Sequence, residues 1–106
     1  MEKDHRNCAS VQTTLKVLGG KWKPPILYLL NSGTWRFGQL RRNITGITQK
    51  MLTQELREME KDGLVARKVY PVVPPKVEYS LTAYGRSLEP ILKTMSDWGL
   101  KHKSRA

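Results

Sequence analysis

The segment from Ile44 to Leu64, ITGITQKMLTQELREMEKDGL, restricts the fold more than any other stretch of the chain. Gly46 offers a tight turn, and the residues after it carry the period of an α-helix. On a wheel of about 100° per residue, Leu52, Leu56 and Met59 share one face, while Lys50, Thr53, Gln54, Arg57 and Lys61 share the opposite one. The apolar stripe has to be buried against other elements, so the opposite face is presented outward. Arg and Lys can meet phosphate or guanine, and Gln can bond the edge of adenine. Such a surface suits a nucleic-acid groove. Lys, Gln and Arg are also good helix formers, so an ordinary solvated helix satisfies this segment taken alone.

The charge balance favours the first reading. With 19 Lys and Arg against 9 Asp and Glu, the chain of 106 residues carries a formal charge of +10. The cations run through the whole length, at Arg41, Arg42, Arg57, Arg67, Lys68 and Lys76 among others, so the field does not come from one tail. Such a field attracts polyanions, with nucleic acid ahead of an anionic membrane surface. The length implies a single domain, residues 1–106, with a modest core that dimerisation would enlarge. The longest apolar run, Ile26 to Leu30, is far short of a membrane span, and no membrane partner is expected. The start, Met-Glu-Lys-Asp-His-Arg, lacks the apolar stretch of a signal peptide, and the one cysteine, Cys8, fits a reducing compartment. The expectation is a cytoplasmic protein.

Along the chain, Val11, Leu15 and Leu18 fall at helical spacing, with Ser10 as the expected N-cap and Gly19-Gly20 as a stop. Residues 1–7, ahead of this helix, are charged and expected to be loose. A second helix is expected to begin near Pro24, where the lost N–H matters little, and to end around Asn31-Ser32-Gly33. Thr34-Trp35-Arg36 reads as short and extended. Phe37 to Asn43 reads as a third helix, and about Gln49 to Asp62 as a fourth, stopping at Gly63. The period then changes. Leu64 to Tyr70 and Val77 to Leu81 are rich in β-branched residues and are separated by Pro71-Val72-Val73-Pro74-Pro75, which predicts a hairpin with a projecting tip. Thr82 is the expected cap of a last helix whose stripe is Leu88, Ile91, Leu92, Met95 and Trp98, with Pro90 kinking it. Helix, helix, helix, turn, helix, hairpin, helix is the order of a winged helix: an α+β fold, mainly helical, in which a helix-turn-helix is followed by a two-stranded wing.

Several motifs in this order resemble one family. They are Gly19-Gly20-Lys21-Trp22-Lys23, Arg36-Phe37-Gly38-Gln39-Leu40-Arg41-Arg42-Asn43-Ile44, Gly46-Ile47-Thr48-Gln49-Lys50-Met51-Leu52-Thr53 and Leu56-Arg57-Glu58-Met59-Glu60-Lys61-Asp62-Gly63-Leu64-Val65. Tyr70-Pro71 with Pro74-Pro75, Val77-Glu78-Tyr79-Ser80-Leu81-Thr82, Gly85 and Trp98-Gly99 complete the set, which spans nearly the whole chain. Together they resemble the HxlR-type winged helix-turn-helix transcriptional regulators of bacteria; the paired Pro24-Pro25 is a departure from that pattern. The resemblance implies a homodimer with extra N- and C-terminal dimerisation helices, acting as a repressor or activator of nearby genes. It assigns the dimer interface to Val11, Leu15, Leu88, Ile91, Leu92, Met95 and Trp98. In a subset of that family, a cysteine just ahead of the first helix senses electrophiles or oxidants, and Cys8 occupies that place.

The candidate DNA-binding residues follow from the wheel and the wing. Thr48, Gln49, Lys50, Thr53 and Gln54 are expected nearest the bases, with Arg57 reaching base or phosphate. Glu55, Glu58 and Glu60 are expected off the contact face. Arg67, Lys68 and Lys76 flank the wing tip, where they can meet phosphate or the minor groove or simply complete a hairpin. Arg36, Arg41 and Arg42 can clamp the backbone or remain solvated. The expected partners are double-stranded DNA bearing an inverted repeat, a second copy of the chain, and a small-molecule or electrophile effector.

Cys8 stands beside a helix N-terminus with His5 and Arg6 upstream, a setting that favours thiolate, although a lone cysteine is more often a small hydrophobe. Trp22, Trp35 and Trp98 are bulky enough to be core or interface anchors. An enzyme is not expected, nor a cofactor or metal. The two histidines, His5 and His102, lie near opposite ends, and Gly19-Gly20-Lys21 is followed by Trp22 where a phosphate loop needs Ser or Thr. The remaining rival is a winged helix that serves as a protein- or RNA-interaction module.

Overall fold

In a computed structural model, which describes residues 8–105, the chain forms six helices and a small antiparallel sheet. The helices are α1 (Ala9–Leu18), α2 (Lys23–Asn31), α3 (Phe37–Asn43), α4 (Gln49–Lys61), α5 (Ala83–Arg86) and α6 (Glu89–Arg105). The strands are β1 (Trp35–Arg36), β2 (Val65–Tyr70) and β3 (Lys76–Leu81), in the order β1-β3-β2. The hairpin therefore gains a third strand, with Trp35 opposite Tyr79 and Arg36 opposite Glu78. Two residues are too few for a period to show in the sequence. This is the winged-helix architecture.

Local chemistry sets the boundaries of α4, on which the rest is arranged. The Thr48 Oγ1 accepts from the Met51 N–H at 3.1 Å, capping the first turn. At the other end Gly63 takes φ of 79°, a conformation that side chains resist. There the Leu64 N–H bonds Met59 O at 2.9 Å and the Gly63 N–H bonds Glu60 O at 3.0 Å, the paired bonds of a Schellman stop. Leu52, Leu56 and Met59 are fully buried in one core with Ile26 and Leu27 of α2, Leu40 of α3, and Leu64, Val65, Tyr79, Leu81 and Leu92. Gly46, at φ 87°, makes the turn from α3 into α4.

Three expectations about helix ends are corrected. Cys8, not Ser10, is the N-cap of α1, and no side chain caps that end. Thr82 caps the four-residue α5, where its Oγ1 accepts from the Gly85 N–H at 2.9 Å and donates to Gly63 O at 2.6 Å. The chain breaks at Ser87-Leu88, so Pro90 falls in the first turn of α6, where a missing N–H costs nothing, and it does not kink the helix interior.

The apolar stripe of α6 also divides. Leu88 and Leu92, four residues apart, turn into the core of their own chain, and Leu92 is 2% exposed. Ile91, Met95 and Trp98 form a second row rotated away from the first, and Trp98 is 66% exposed, stacked on His102 with ring centroids 5.0 Å apart. Leu92 is thus a core residue rather than a surface residue, and Leu88, in the turn just ahead of α6, is half-buried against the core, because the stripe is wider than the core it covers. On α1 only Leu18 is buried, while Val11 and Leu15 are each 59% exposed. Trp22 and Trp35 pack at the core margin. His5, Arg6 and the rest of residues 1–7 lie outside the described residues.

Candidate nucleic-acid interface

The outer face of α4 carries the side chains that the helical wheel places there. Gln49, Lys50, Thr53, Gln54, Arg57 and Glu58 border a surface hollow of about 680 Å³. Of these only Thr53 is partly covered. A second hollow, of about 480 Å³, separates α4 from the wing. Gln49, Thr53 and Arg57 border it from one side and Arg67, Val77 and Tyr79 from the other, with Phe37 and Glu60 also on its wall. Gln49, Thr53 and Arg57 therefore form a ridge shared by both hollows. Glu60 stands in the cleft with Arg57 and Arg67, and Glu58 borders the first hollow beside Gln54 and Arg57, which corrects the expectation that these two lie off this face.

Two carboxylates of α4 are held by a residue that the sequence reading did not single out. The Lys23 Nζ, from the first turn of α2, lies 2.6 Å from Glu58 Oε1 and 3.5 Å from Glu55 Oε1. Its hydrogen bond to Glu58, with the attraction of both carboxylates, raises the Lys23 pKa against the opposing effect of burial. The same bond is the first cause that lowers the Glu58 pKa, with the charge of Lys23 next. The clamp joins positions 35 residues apart in sequence, so no local pattern reveals it.

The wing distributes its cations over two faces, because alternate residues of a strand point to opposite sides. Arg67 pairs with Tyr79 and belongs to the face turned to α4. Lys68 pairs with Glu78, and Tyr70 with Lys76, on the other face. There Lys68 and Lys76 lie 4.8 and 4.7 Å from the centroid of the Tyr70 ring. The Tyr70 hydroxyl donates to Glu78 Oε1 at 2.9 Å, and Lys76 approaches Glu78 Oε2 at 3.4 Å. The Tyr70 bond leads the causes that hold the Glu78 carboxyl below its ordinary value, with Lys76 and Arg36 adding to it. Arg36, Glu78 and Lys68 form one cross-strand row, two cations about one anion. Arg41 and Arg42 are exposed on the last turn of α3. The twelve candidate residues thus fall into the N-cap and outer face of α4 (Thr48, Gln49, Lys50, Thr53, Gln54 and Arg57) with Arg67 across the cleft, a cross-strand cluster of Arg36, Lys68 and Lys76 on the far side of the wing, and two arginines on α3.

No helix among the described residues is long and apolar enough to cross a membrane. Cys8 is exposed, ahead of α1.

The same architecture occurs in proteins of known class. YdeP of Bacillus subtilis (strain 168), an HTH-type transcriptional regulator, is 54% identical over 102 residues, which cover 96% of this chain and 79% of YdeP. The redox regulator HypR in its reduced form superposes with a TM-score of 0.85 at 53% identity, covering 89% of this chain and 93% of that one. Diamide-treated YodB from B. subtilis superposes with a TM-score of 0.73 at 34% identity, covering 92% and 96%. Residues 17–106 match the profile of the HxlR-like helix-turn-helix proteins. A helix-turn-helix with its wing, the outward basic ridge of α4 and this likeness over most of the chain make it a DNA-binding transcriptional regulator, and it belongs to the HxlR-like helix-turn-helix family.

Proposed function

We propose that the chain acts as a homodimer on an inverted-repeat operator, with α4 of each subunit in the major groove. The ridge of Gln49, Thr53 and Arg57 flanked by Arg67 carries this reading, because it sets amide and guanidinium donors on one outward surface. Thr48, Lys50 and Gln54 complete the base-facing set. Arg41, Arg42, Lys68, Lys76 and Arg36 supply backbone charge. The dimer contact is assigned to Val11 and Leu15 of α1 and to Ile91, Met95 and Trp98 of α6, which are among the apolar side chains that a single chain leaves exposed. A two-fold protein favours a two-fold site.

Regulation is assigned to Cys8. It is exposed at the end of α1, on the same helix as the proposed contact, so modification there can alter subunit spacing. Half-sites on B-DNA lie about 34–36 Å apart, and a changed spacing between the two α4 helices breaks that match. The likeness to HypR, solved in oxidised and reduced forms, and to diamide-treated YodB supports a redox input. The test is operator binding by wild type and Cys8→Ser, before and after diamide, with reductant added back. Wild type should lose affinity reversibly and the Ser variant should not. Equal responses in both would remove Cys8 from the mechanism. In the same assay, counterion release from about six to ten phosphate contacts over the whole dimer should weaken binding by roughly 10³- to 10⁵-fold between 50 and 200 mM salt. Binding indifferent to salt and to sequence would favour an interaction module instead.

A further inference from the structure

Among the large apolar side chains of the described residues, Val73 at the tip of the wing is the most exposed, at 99%. Val72 beside it is half exposed, and Pro71, Pro74 and Pro75 around them are exposed too. Paired strands of six residues each, roughly 17–20 Å long, carry this tip away from the core. The three prolines fix their own φ, so the tip has little freedom to lose on binding. They also lack N–H groups, and the Val72 N–H is bonded to Tyr70 O at 2.9 Å. The tip is therefore an apolar edge with the Val73 amide as its one free backbone donor.

Behind the tip, the shaft of the hairpin carries cations on both faces, Arg67 on the side of α4 and Lys68 and Lys76 on the other. An apolar edge between two positive flanks matches the minor groove of duplex DNA, whose floor of base edges lies between two phosphate walls. A second wing is a poorer partner, because its cations would meet these same cations. The shaft also borders the cleft beside the α4 ridge, so the wing extends the surface assigned to DNA.

We infer that Val72 and Val73 read the minor groove beside each half-site and select A·T over G·C pairs there. Both kinds of pair offer acceptors to the Val73 amide, but only guanine adds its N2 amine to the groove floor. Pressed against valine methyls, that amine loses water and gains no hydrogen bond. The penalty falls on G·C alone, with no hydrogen bond from a side chain to a base. This inference rests on α4 occupying the adjacent major groove, as proposed above.

Inosine·cytosine pairs provide the test, because inosine keeps the major-groove edge of guanine and lacks the N2 amine. An operator is first selected from a random duplex pool with the full-length protein. The pairs flanking its half-sites are then set to A·T, G·C or I·C, and binding is followed by fluorescence anisotropy. Wild type should bind the A·T and I·C duplexes alike and G·C about tenfold more weakly, the scale of one desolvated donor left unpaired. Val73→Asn offers the amine a carbonyl acceptor and should reduce that ratio to about twofold or less. Val73 is too exposed for this change to disturb the fold. Equal binding of all three duplexes, or I·C bound as weakly as G·C, overturns the inference. So does a preference that survives Val73→Asn, which would trace it to groove width and the flanking cations. Loss of binding to phosphatidylserine vesicles in Val73→Asn, with duplex binding unchanged on all three, overturns it in favour of a lipid surface. Failure to select any operator refutes the operator reading itself, on which this inference stands.

Discussion

Gly85 lies where α5 presses on the turn after α4. A β-carbon there would collide with the carbonyl oxygen of Leu64, which is backbone and cannot yield, and would crowd Leu81 Cδ2 at 3.2 Å. Gly85→Ala should therefore destabilise the fold by about 1–3 kcal/mol, as overpacking in a tight core does. Chemical denaturation provides the measurement, and an unchanged midpoint would mean that α5 can ride outward freely. On the ridge of α4, Gln54 and Arg57 should behave differently from Lys76. Gln54→Ala or Arg57→Ala should cost about 1–3 kcal/mol at the operator and relax base preference, the effect of losing a bidentate contact. Lys76 is already engaged by Glu78 and the Tyr70 ring, so Lys76→Ala should weaken operator and scrambled duplex alike. Equal losses on both duplexes for Gln54 and Arg57 would reduce them to backbone contacts.

Among the elements, α2 and α4 are joined by the clamp of Lys23 on Glu55 and Glu58. Glu58 borders the same hollow as Gln54 and Arg57, where an uncompensated carboxylate would repel phosphate. The pH range of the clamp follows from its two shifts. The Glu58 pKa is depressed below 4.5, so its contribution is present above that value and is lost as pH falls through the lower folded one. The Lys23 pKa is raised above 10.5, so its contribution is complete below 10.5 and is lost as pH rises through the folded value. Across the neutral range both partners stay charged. Lys23→Met should weaken duplex binding about two- to fivefold at low salt, the scale of one screened charge several ångströms away. Adding Glu58→Gln should restore most of the loss. A double variant that binds no better than Lys23→Met would make the clamp purely structural.

Taken whole, the single chain exposes more surface than a folded monomer of its mass should. Its accessible area is 7872 Å², against about 6,100 Å² expected for a monomer of 12.2 kDa. Its radius of gyration is 15.6 Å, where about 13 Å is usual for this length. The excess is in keeping with α1 and the outer row of α6, whose apolar side chains lack cover within the chain. This separates two kinds of substitution on α6. Leu92→Ala should cost about 2–5 kcal/mol of folding stability, because it opens a cavity in the core. Trp98→Glu should leave helical content intact and shift the protein to monomer in sedimentation at micromolar concentration. A Trp98→Glu variant that remains a dimer would move the contact elsewhere.

The sequence by itself determined the elements and the side of α4 that faces outward. Helical period, the Gly46 turn and the Gly63 stop are local, and local geometry settles them without knowledge of the rest. The same holds for the order of helices and hairpin, and so for the family. Tertiary structure decided what depends on packing between distant segments. It broke the last helical stretch at Ser87-Leu88, since Thr82 bonds back to Gly63 and docks α5 separately. It divided the α6 stripe into a core row and an exposed row, which a wheel alone cannot do because it shows a face and not its cover. It placed Arg67 opposite Lys68 and Lys76 across the sheet, where register rather than composition assigns the side. It also brought Lys23 to Glu58 across 35 residues. An ion pair of that kind has no sequence period, because its geometry exists only once α2 has packed against α4.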